Sequence, residues 1–119
     1  MTLNEYQQQA MKTCMPSCNN IAYMLTGLNA EVGEVNDKIA KAIRKEQIAI
    51  TRNNLATWAD RTPEDWETNL QKEVGDCLWF LAGICSVMGW QLGDIAKQNI
   101  DKLQSRKQRG VIDGNGDNR

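Results

Sequence analysis

The stretch from residue 74 to residue 88 limits the possible folds most, because Asp76 is its only charged residue. Apolar side chains occur on all sides of the helix that this stretch predicts, which is typical of a helix covered on most of its surface. The rest of a 119-residue chain offers few helices to cover it. The sequence therefore predicts a helical core that a second copy of the chain completes.

Apolar residues at helical spacing predict three further helices, and no segment alternates for long enough to predict a strand. The first of these helices ends or kinks at Pro16. The second covers about residues 20–46 and the last about residues 92–109, while residues 47–61 fit either a short helix or an ordered loop. The predicted fold class is therefore an all-α bundle of four to five helices.

The ends of the apolar third helix contain residues that favour helix boundaries. Thr62 suits the N-cap and Pro63 suits the first helical position. Asp65 lies in the first turn, where the helix dipole favours an acid. Gly89 suits the left-handed position that follows a helix. We therefore expect this helix to begin at Pro63 and to end near Met88.

The composition excludes several classes of site and of partner. The chain has no histidine, so the usual zinc ligand and the usual general base are missing, and its four cysteines follow no common zinc spacing. A net charge of −1 gives no reason to expect nucleic acid as a partner. No apolar stretch would span a membrane, and the first residues lack a signal-peptide pattern. We expect a cytoplasmic protein with one domain, residues 1–109, and a glycine-rich tail, residues 110–119.

Two pairs of acidic residues lie inside the second and third predicted helices. Glu31 and Glu34 form one pair, and Glu73 and Asp76 form the other. Each pair is spaced i, i+3, which puts both carboxylates on one helix face beside large apolar residues. Carboxylates near a core are costly unless something neutralises them, and no basic residue lies inside the first pair. We therefore favour a divalent cation held by all four acids over the alternative of solvated surface charges.

The type of ligand narrows the choice of metal. Carboxylates without nitrogen or sulfur ligands suit Mg²⁺, Mn²⁺ or Ca²⁺. Among these, Mg²⁺ keeps several waters and binds a few carboxylates together with substrate phosphates. Gly33 and Gly75 lie inside the two acidic pairs and predict a close approach of the two helices. The pattern therefore predicts a magnesium–triphosphate site, with Mn²⁺ as a substitute, between closely packed helices.

A basic face near the end of the last helix offers a second kind of ligand. Lys102 and Arg106 are spaced i, i+4, and Arg109 follows about one turn later. Together with Asn99, these side chains could hold phosphate oxygens that a metal leaves free. The alternative is a solvated basic end that interacts with the helix dipole. Because the acidic pairs are present, phosphate binding is the interpretation we prefer.

These motifs together resemble those of the MazG-like and dimeric dUTPase-like all-α nucleoside triphosphate pyrophosphohydrolases. The resemblance rests on E-x-x-E in one helix and E-x-x-D in the next, followed by the apolar run of residues 77–81. It continues in the N-x-x-K-x-x-x-R pattern of residues 99–106 and in the tail, residues 109–119. The resemblance thus covers about residues 20–119.

The resemblance implies a house-cleaning enzyme that hydrolyses a nucleoside triphosphate to a monophosphate and pyrophosphate with Mg²⁺. It implies that the four acids are magnesium ligands and that Glu34 also orients or deprotonates the attacking water. Tyr6 and Gln7 could complete a pocket for the base. The residues that we expect to contact the substrate are Asn99, Lys102, Arg106, Arg109 and, near the base, Phe80. The expected assembly is a homodimer or a homotetramer.

Some features leave alternatives open. The connection between the two acidic helices is longer than in many members of that family, so the region around Trp58 is an added or substrate-specific element. In the tail, Arg119 could fold back onto a triphosphate, or the tail could be disordered. Residues 113–117 imitate the start of a calcium loop but lack its glycine and its final glutamate, so we reject that interpretation. The alternative function is a non-enzymatic helical interaction or regulatory module, although such a scaffold has no need of the acidic pairs.

Overall fold

Two long antiparallel helices form the centre of the structure. The computed structural model describes residues 1–119. In chain order its elements are α1 (Leu3–Met11), a 3₁₀ turn (Pro16–Cys18), α2 (Ile21–Arg44), β1 (Ile48–Ile50), β2 (Leu55–Thr57), α3 (Trp66–Val87) and α4 (Leu92–Gln108). Most of the chain is helical, and the only strands form one two-stranded sheet. The predicted all-α class with four helices is confirmed.

Small residues allow α2 and α3 to approach closely at one end of their contact. The ring of Phe80 occupies the space that a side chain at Gly27 would need. Met24 does the same at Gly83. Because residue numbers rise along α2 while those of their contacts fall along α3, the two helices are antiparallel.

Gly33 and Gly75 predict a close approach of α2 and α3, and within a single chain this prediction is wrong. A side chain added at either position would meet no atom within 4 Å. The helices come closest nearer the start of α2, where the ring of Phe80 needs room beside Gly27. The presence of a glycine in a helix therefore does not show which face of that helix packs against its neighbour.

Residues 47–61 form neither of the two structures predicted for them, because a β-hairpin lies in this connection. Strands β1 and β2 pair antiparallel, with Ala49 opposite Ala56. Ile48 is buried and packs with Ala42 of α2 and Trp66 of α3. The hairpin is thus attached to one end of the α2–α3 pair.

The start of α3 also differs from the prediction, whereas its end agrees with it. The hydroxyl of Thr62 donates to the carbonyl of Gln47 and accepts from the backbone N–H of Trp58 at 2.9 Å. This side chain therefore closes the base of the hairpin connection instead of capping the helix. As a result α3 begins at Trp66, about one turn later than predicted. Gly89, which follows the helix, has the predicted left-handed conformation with a φ of 73°.

Side chains of α1 stabilise the start of α4, which has no side-chain cap of its own. The amide of Gln7 donates to the carbonyl of Trp90 at 2.9 Å and accepts from the N–H of Leu92 at 2.7 Å. Asn4 accepts from the N–H of Gly93 at 2.8 Å. These bonds satisfy N–H groups that a helix start leaves without an internal partner.

Helix α4 leaves the central pair at a sharp angle. It is bent by 103° relative to α3 and packs along α1 and against α3. No single helix is both long and apolar enough to cross a membrane. Only α3 and α4 together, across their bend, have the required length and composition. The bend therefore directs the basic residues of α4 away from the α2–α3 pair.

A single chain leaves much of its apolar surface exposed. Its radius of gyration is 17.8 Å, whereas a compact domain of this length has about 13–14 Å. Only 12 of its 119 residues are buried. Large apolar residues exposed on the three longer helices are Ile21, Leu25, Val32, Ile43, Val74, Leu81, Ile95, Ile100 and Leu103. The homo-oligomer stays a prediction, and this is the surface that such an assembly would bury.

Candidate active site

Three of the four predicted acids converge between α2 and α3. Carboxylate oxygens of Glu31, Glu73 and Asp76 all lie within 4.8 Å of one another. The i, i+3 spacing puts Glu73 and Asp76 on one face of α3, and the antiparallel packing brings Glu31 opposite them. Glu31 and Glu73 are half-buried, whereas Asp76 is exposed. A ligand therefore reaches the cluster from the side of Asp76.

Crowding of negative charge is the main electrostatic feature of this acidic cluster. Burial raises the pKa of Glu31 above its ordinary value, and the charges of Asp76, Glu73 and Glu34 raise this pKa further. A divalent cation would remove the repulsion, because it binds the charged form of each acid. Three carboxylate oxygens within 4.8 Å of one another could bind a single shared ion. The donor set therefore fits a hard divalent cation.

The carboxylate of Glu34 lies outside the group formed by the other three acids. Its side chain is exposed, and its carboxylate is not part of the group within 4.8 Å. It is still close enough to Glu31 for its charge to raise the pKa of that residue. The four predicted ligands are thus three converging carboxylates and a fourth that lies beside them.

Lys38 also belongs to this site, although no sequence motif indicated it. Its Nζ atom lies 3.1 Å from Oε1 of Glu73, and the two side chains are only 32% and 18% exposed. Its place one turn after Glu34 was visible in the sequence, but its partner on another helix was not. The acidic cluster therefore has one positive charge of its own.

Two neutral side chains border the acids. Burial raises the pKa of Tyr6 on α1, and the charge of Asp76 raises it further. Burial also raises the pKa of the Cys77 thiol, with added effects from Glu31 and Asp76. Both groups therefore stay protonated at neutral pH and add no charge. Gln7, which was expected to border a base pocket, is instead buried in its bonds to the start of α4.

Phe80 lies one turn after Asp76 but on the packed side of α3. Its ring centroid is 5.6 Å from that of Tyr23 and 5.0 Å from that of Trp79, and the residue is 7% exposed. The indole N–H of Trp79 donates to the carbonyl of Ala10 at 3.2 Å, which fixes α1 against α3. In a single chain Phe80 is therefore a core residue, and its contact with a base stays a prediction.

The predicted phosphate-binding residues lie far from the acids of the same chain. At a rise of 1.5 Å per residue, Asp76 is about 16 Å from the end of α3, and Lys102 is about 15 Å from the start of α4. The bend of 103° between these helices then separates the two residues by about 20 Å. Asn99 is also exposed and lies beside Lys102, one turn nearer to the start of α4. The side chains of one chain do not bridge this distance.

The basic residues contact the C-terminal tail instead. Oδ1 of Asp117 lies 3.2 Å from Nη2 of Arg106 and 3.7 Å from Nζ of Lys102. Nη2 of Arg109 donates to the carbonyl of Arg119 at 2.8 Å. The tail therefore lies on the basic face of α4 rather than extending away from it.

The sequence is similar to a described family and to a phage protein. Residues 20–111, which include both acidic helices and α4, match the family described as MazG nucleotide pyrophosphohydrolase domain. The chain is also similar to the Gene 37 protein of Mycobacterium phage L5, with 36% identity over 103 residues. That alignment covers 87% of this chain and 80% of the phage protein. No solved structure matches the chain significantly.

Proposed function

We propose, since this chain belongs to the family of MazG nucleotide pyrophosphohydrolase domains, that it hydrolyses a nucleoside triphosphate to a monophosphate and pyrophosphate. The observation that carries the proposal is the convergence of Glu31, Glu73 and Asp76 on two antiparallel helices. Hard oxygen ligands of this kind suit Mg²⁺, which in turn binds phosphates. The proposed cofactor is therefore Mg²⁺, with Mn²⁺ as a substitute, and the proposed place of the reaction is the cytoplasm.

The four acids have two roles in this reaction. Glu31, Glu73 and Asp76 would hold the cation, which would supply positive charge to the substrate phosphates and lower the pKa of water. Glu34 lies beside them and accepts the proton of the attacking water. The water oxygen forms a bond to the α-phosphorus while the bond to the bridging oxygen breaks. The electron pair of that bond leaves with pyrophosphate.

A second copy of the chain completes the site in this proposal. Lys102 lies about 20 Å from the acids of its own chain across the 103° bend. Lys102, Arg106 and Arg109 therefore contact a triphosphate that is bound at the acids of a neighbouring chain. Burial of the exposed apolar residues on α2, α3 and α4 would drive this association. The proposed assembly is a homodimer or homotetramer, in which Asn99 and Phe80 also face substrate.

Release of pyrophosphate is the direct test of this function. A panel of standard and damaged nucleoside triphosphates should be supplied with Mg²⁺, with Mn²⁺ and with excess chelator. We expect hydrolysis of at least one triphosphate with either metal and none with chelator. Asp76→Asn keeps the size of the side chain but removes a ligand charge, so it should abolish turnover while it preserves the fold. Wild-type turnover by Asp76→Asn, or full activity in chelator, would refute the proposed site.

A non-enzymatic interaction module or regulator with the same fold is the second candidate. The large exposed apolar surface supports it, because such a surface can serve any helical partner. The acidic cluster argues against it, since a scaffold gains nothing from crowded carboxylates. If no triphosphate in the panel is hydrolysed with either metal, this second candidate becomes the better one.

A further inference from the structure

The tail, residues 110–119, folds back onto the last turn of α4 and covers Arg106. Only 5% of Arg106 is exposed, although the residue is charged and lies near the end of a surface helix. Its Nη2 atom donates to the carbonyl of Asp117 at 2.9 Å and to that of Gly116 at 3.4 Å. The backbone of the tail therefore covers the guanidinium group.

A carboxylate of the tail binds Lys102 and Arg106, the two cationic side chains that we propose for phosphate binding. Oδ1 of Asp117 faces both Nη2 of Arg106 and Nζ of Lys102. The hydrogen bond from Arg106 and the charge of Lys102 hold the pKa of Asp117 below its ordinary value, so this carboxylate stays charged. A phosphate group presents the same kind of anionic oxygen to such a pair. Asp117 thus lies where a phosphate oxygen would bind.

The tail satisfies only part of the guanidinium group of Arg106. All three acceptors from the tail bind Nη2, whereas Nε is buried and has no hydrogen-bond partner. A buried donor without an acceptor is destabilising. Nε and Nη2 form one edge of the guanidinium fork, and phosphates bind such an edge through two parallel hydrogen bonds. A phosphate in the place of Asp117 would have enough oxygens to bind Nε as well as Nη2.

Arg119 holds the tail closed independently of Asp117. Its Nε donates to the carbonyl of Val111 at 3.0 Å, and its Nη2 donates to that of Ile112 at 3.2 Å. The same side chain fills the space beside Gly114 that any larger residue would need. Substitution of Asp117 alone should therefore remove the carboxylate and leave the shape of the tail in place.

We infer that Asp117 sets the affinity of the Lys102–Arg106 pair for phosphate, because an incoming phosphate group must displace its carboxylate. The inference rests on the proposed function for the view that this phosphate belongs to a nucleotide. The competition itself requires no divalent cation, since the pair and Asp117 lie on α4 and the tail, away from the acidic cluster of the same chain. Inorganic pyrophosphate shares the relevant chemistry with the phosphates of a nucleotide and can replace them as a probe.

Isothermal titration of the full chain with inorganic pyrophosphate, in the absence of divalent cations, tests this competition. Asp117→Asn keeps the size of the residue and its backbone contacts, and Asp113→Asn is a matched control at another exposed acid of the tail. We expect Asp117→Asn to bind pyrophosphate about two- to five-fold more tightly than the wild type, the range for loss of an exposed ion pair. Asp113→Asn should bind like the wild type. In the wild type, pyrophosphate should also shift the NMR amide signal of Gly116, which adjoins Asp117 and whose carbonyl also accepts from Arg106.

Unchanged or weaker binding by Asp117→Asn would overturn the inference, since Asp117 would then be neutral or would position the pair. Equal tightening by Asp113→Asn would overturn it as well, because the total charge of the tail would then be responsible. Lack of pyrophosphate binding by every variant would overturn it too. Tightening by Asp117→Asn without hydrolysis of any triphosphate supports the competition but removes the proposed enzyme. Hydrolysis of a triphosphate without tighter pyrophosphate binding by Asp117→Asn would overturn the competition and leave the proposed enzyme in place.

Discussion

Lys38 on α2 and Glu73 on α3 form an ion pair between the two central helices, with 3.1 Å between Nζ and Oε1. Glu73 is also one of the three acids that converge on each other. An ammonium group and a divalent cation that share one carboxylate repel each other, so they compete for it. Lys38 is therefore a built-in counterion for the acidic cluster.

Replacement of Lys38 by glutamine should raise the affinity of the cluster for divalent cations several-fold. The competing ammonium group is removed, while the three carboxylates stay. Without metal, the same variant should be destabilised by about 1 kcal/mol, because a partly exposed ion pair is lost and the acids repel each other more. Isothermal titration with Mn²⁺ and denaturant unfolding in chelator measure the two effects.

Lys41→Gln is the matched control, because Lys41 pairs with Asp37 on the exposed face of α2. It should change neither the affinity for Mn²⁺ nor, by more than a few tenths of a kcal/mol, the free energy of unfolding. Equal affinities for Mn²⁺ in wild type and Lys38→Gln would show that the ion pair does not compete with metal.

The metal-free protein should become more stable as the pH falls from neutrality towards the ordinary glutamate range. Burial, followed by Asp76, Glu73 and Glu34, raises the pKa of Glu31 above 4.5. The folded chain therefore binds a proton at a pH at which the unfolded chain has lost it. This stabilisation is complete below pH 4.5 and is lost as the pH rises through the raised pKa.

Denaturant unfolding in chelator at a series of pH values measures this dependence, and Glu31→Gln should reduce it. Saturating Mg²⁺ should oppose it, because the cation stabilises the charged carboxylates. A free energy of unfolding that rises with pH in chelator, in the wild type but not in Glu31→Gln, would contradict the crowding of these acids.

The acidic cluster could be predicted from sequence because its rule is local. A spacing of i, i+3 fixes Glu73 and Asp76 on one helix face whatever the helix packs against. Lys38 could not be assigned in the same way, since its partner lies on the other helix. The tail gives a second example, because no local rule relates Asp117 to Arg106 across the turn at Gly110.

Some residues fit more than one local structure, and the predictions that rested on them were wrong. The hydroxyl of Thr62 is a good helix cap, but here it binds the base of a hairpin connection. Strands of three residues, such as Ile48–Ile50, are too short to show alternation. Gly33 and Gly75 lie in open space, whereas Gly27 makes the close contact, and only the packed structure distinguishes them.

Gly27→Ala should therefore destabilise the protein by about 1–3 kcal/mol, the usual cost of overpacking a core. The added methyl group would meet the ring of Phe80, which cannot move aside as a flexible side chain would. Gly33→Ala lies on the same helix and meets nothing within 4 Å of one chain. It should stabilise α2 by up to about 1 kcal/mol. Thermal unfolding of both variants measures the difference, and equal effects would contradict the observed contact of α2 with α3.

The separation between α4 and the acidic cluster leads to a prediction about two chains. Lys102 is about 20 Å from Asp76 of its own chain across the 103° bend. If Lys102 acts on a substrate held by a neighbouring chain, each complete site takes its acids from one chain and its basic residues from another. Asp76→Asn alone should abolish turnover, and Lys102→Ala alone should cost about 1.5–3 kcal/mol of substrate binding, as for a charge-assisted hydrogen bond.

At substrate concentrations well below saturation, mixing these two variants should restore more activity than either has alone. In a two-fold symmetric dimer, half of the mixed population is heterodimer, and one of its two sites then has both the native acids and the native lysine. Activity should therefore recover to about one quarter of the wild-type value. Exchange of chains would be ensured by unfolding and refolding the mixture, and native mass spectrometry would count the heterodimers. A chain with both substitutions, mixed with wild type, is the matched control.

If Lys102 instead serves the acids of its own chain, no heterodimer contains a site free of substitutions, and mixing restores nothing. Heterodimers without recovered activity would thus exclude a site shared between chains.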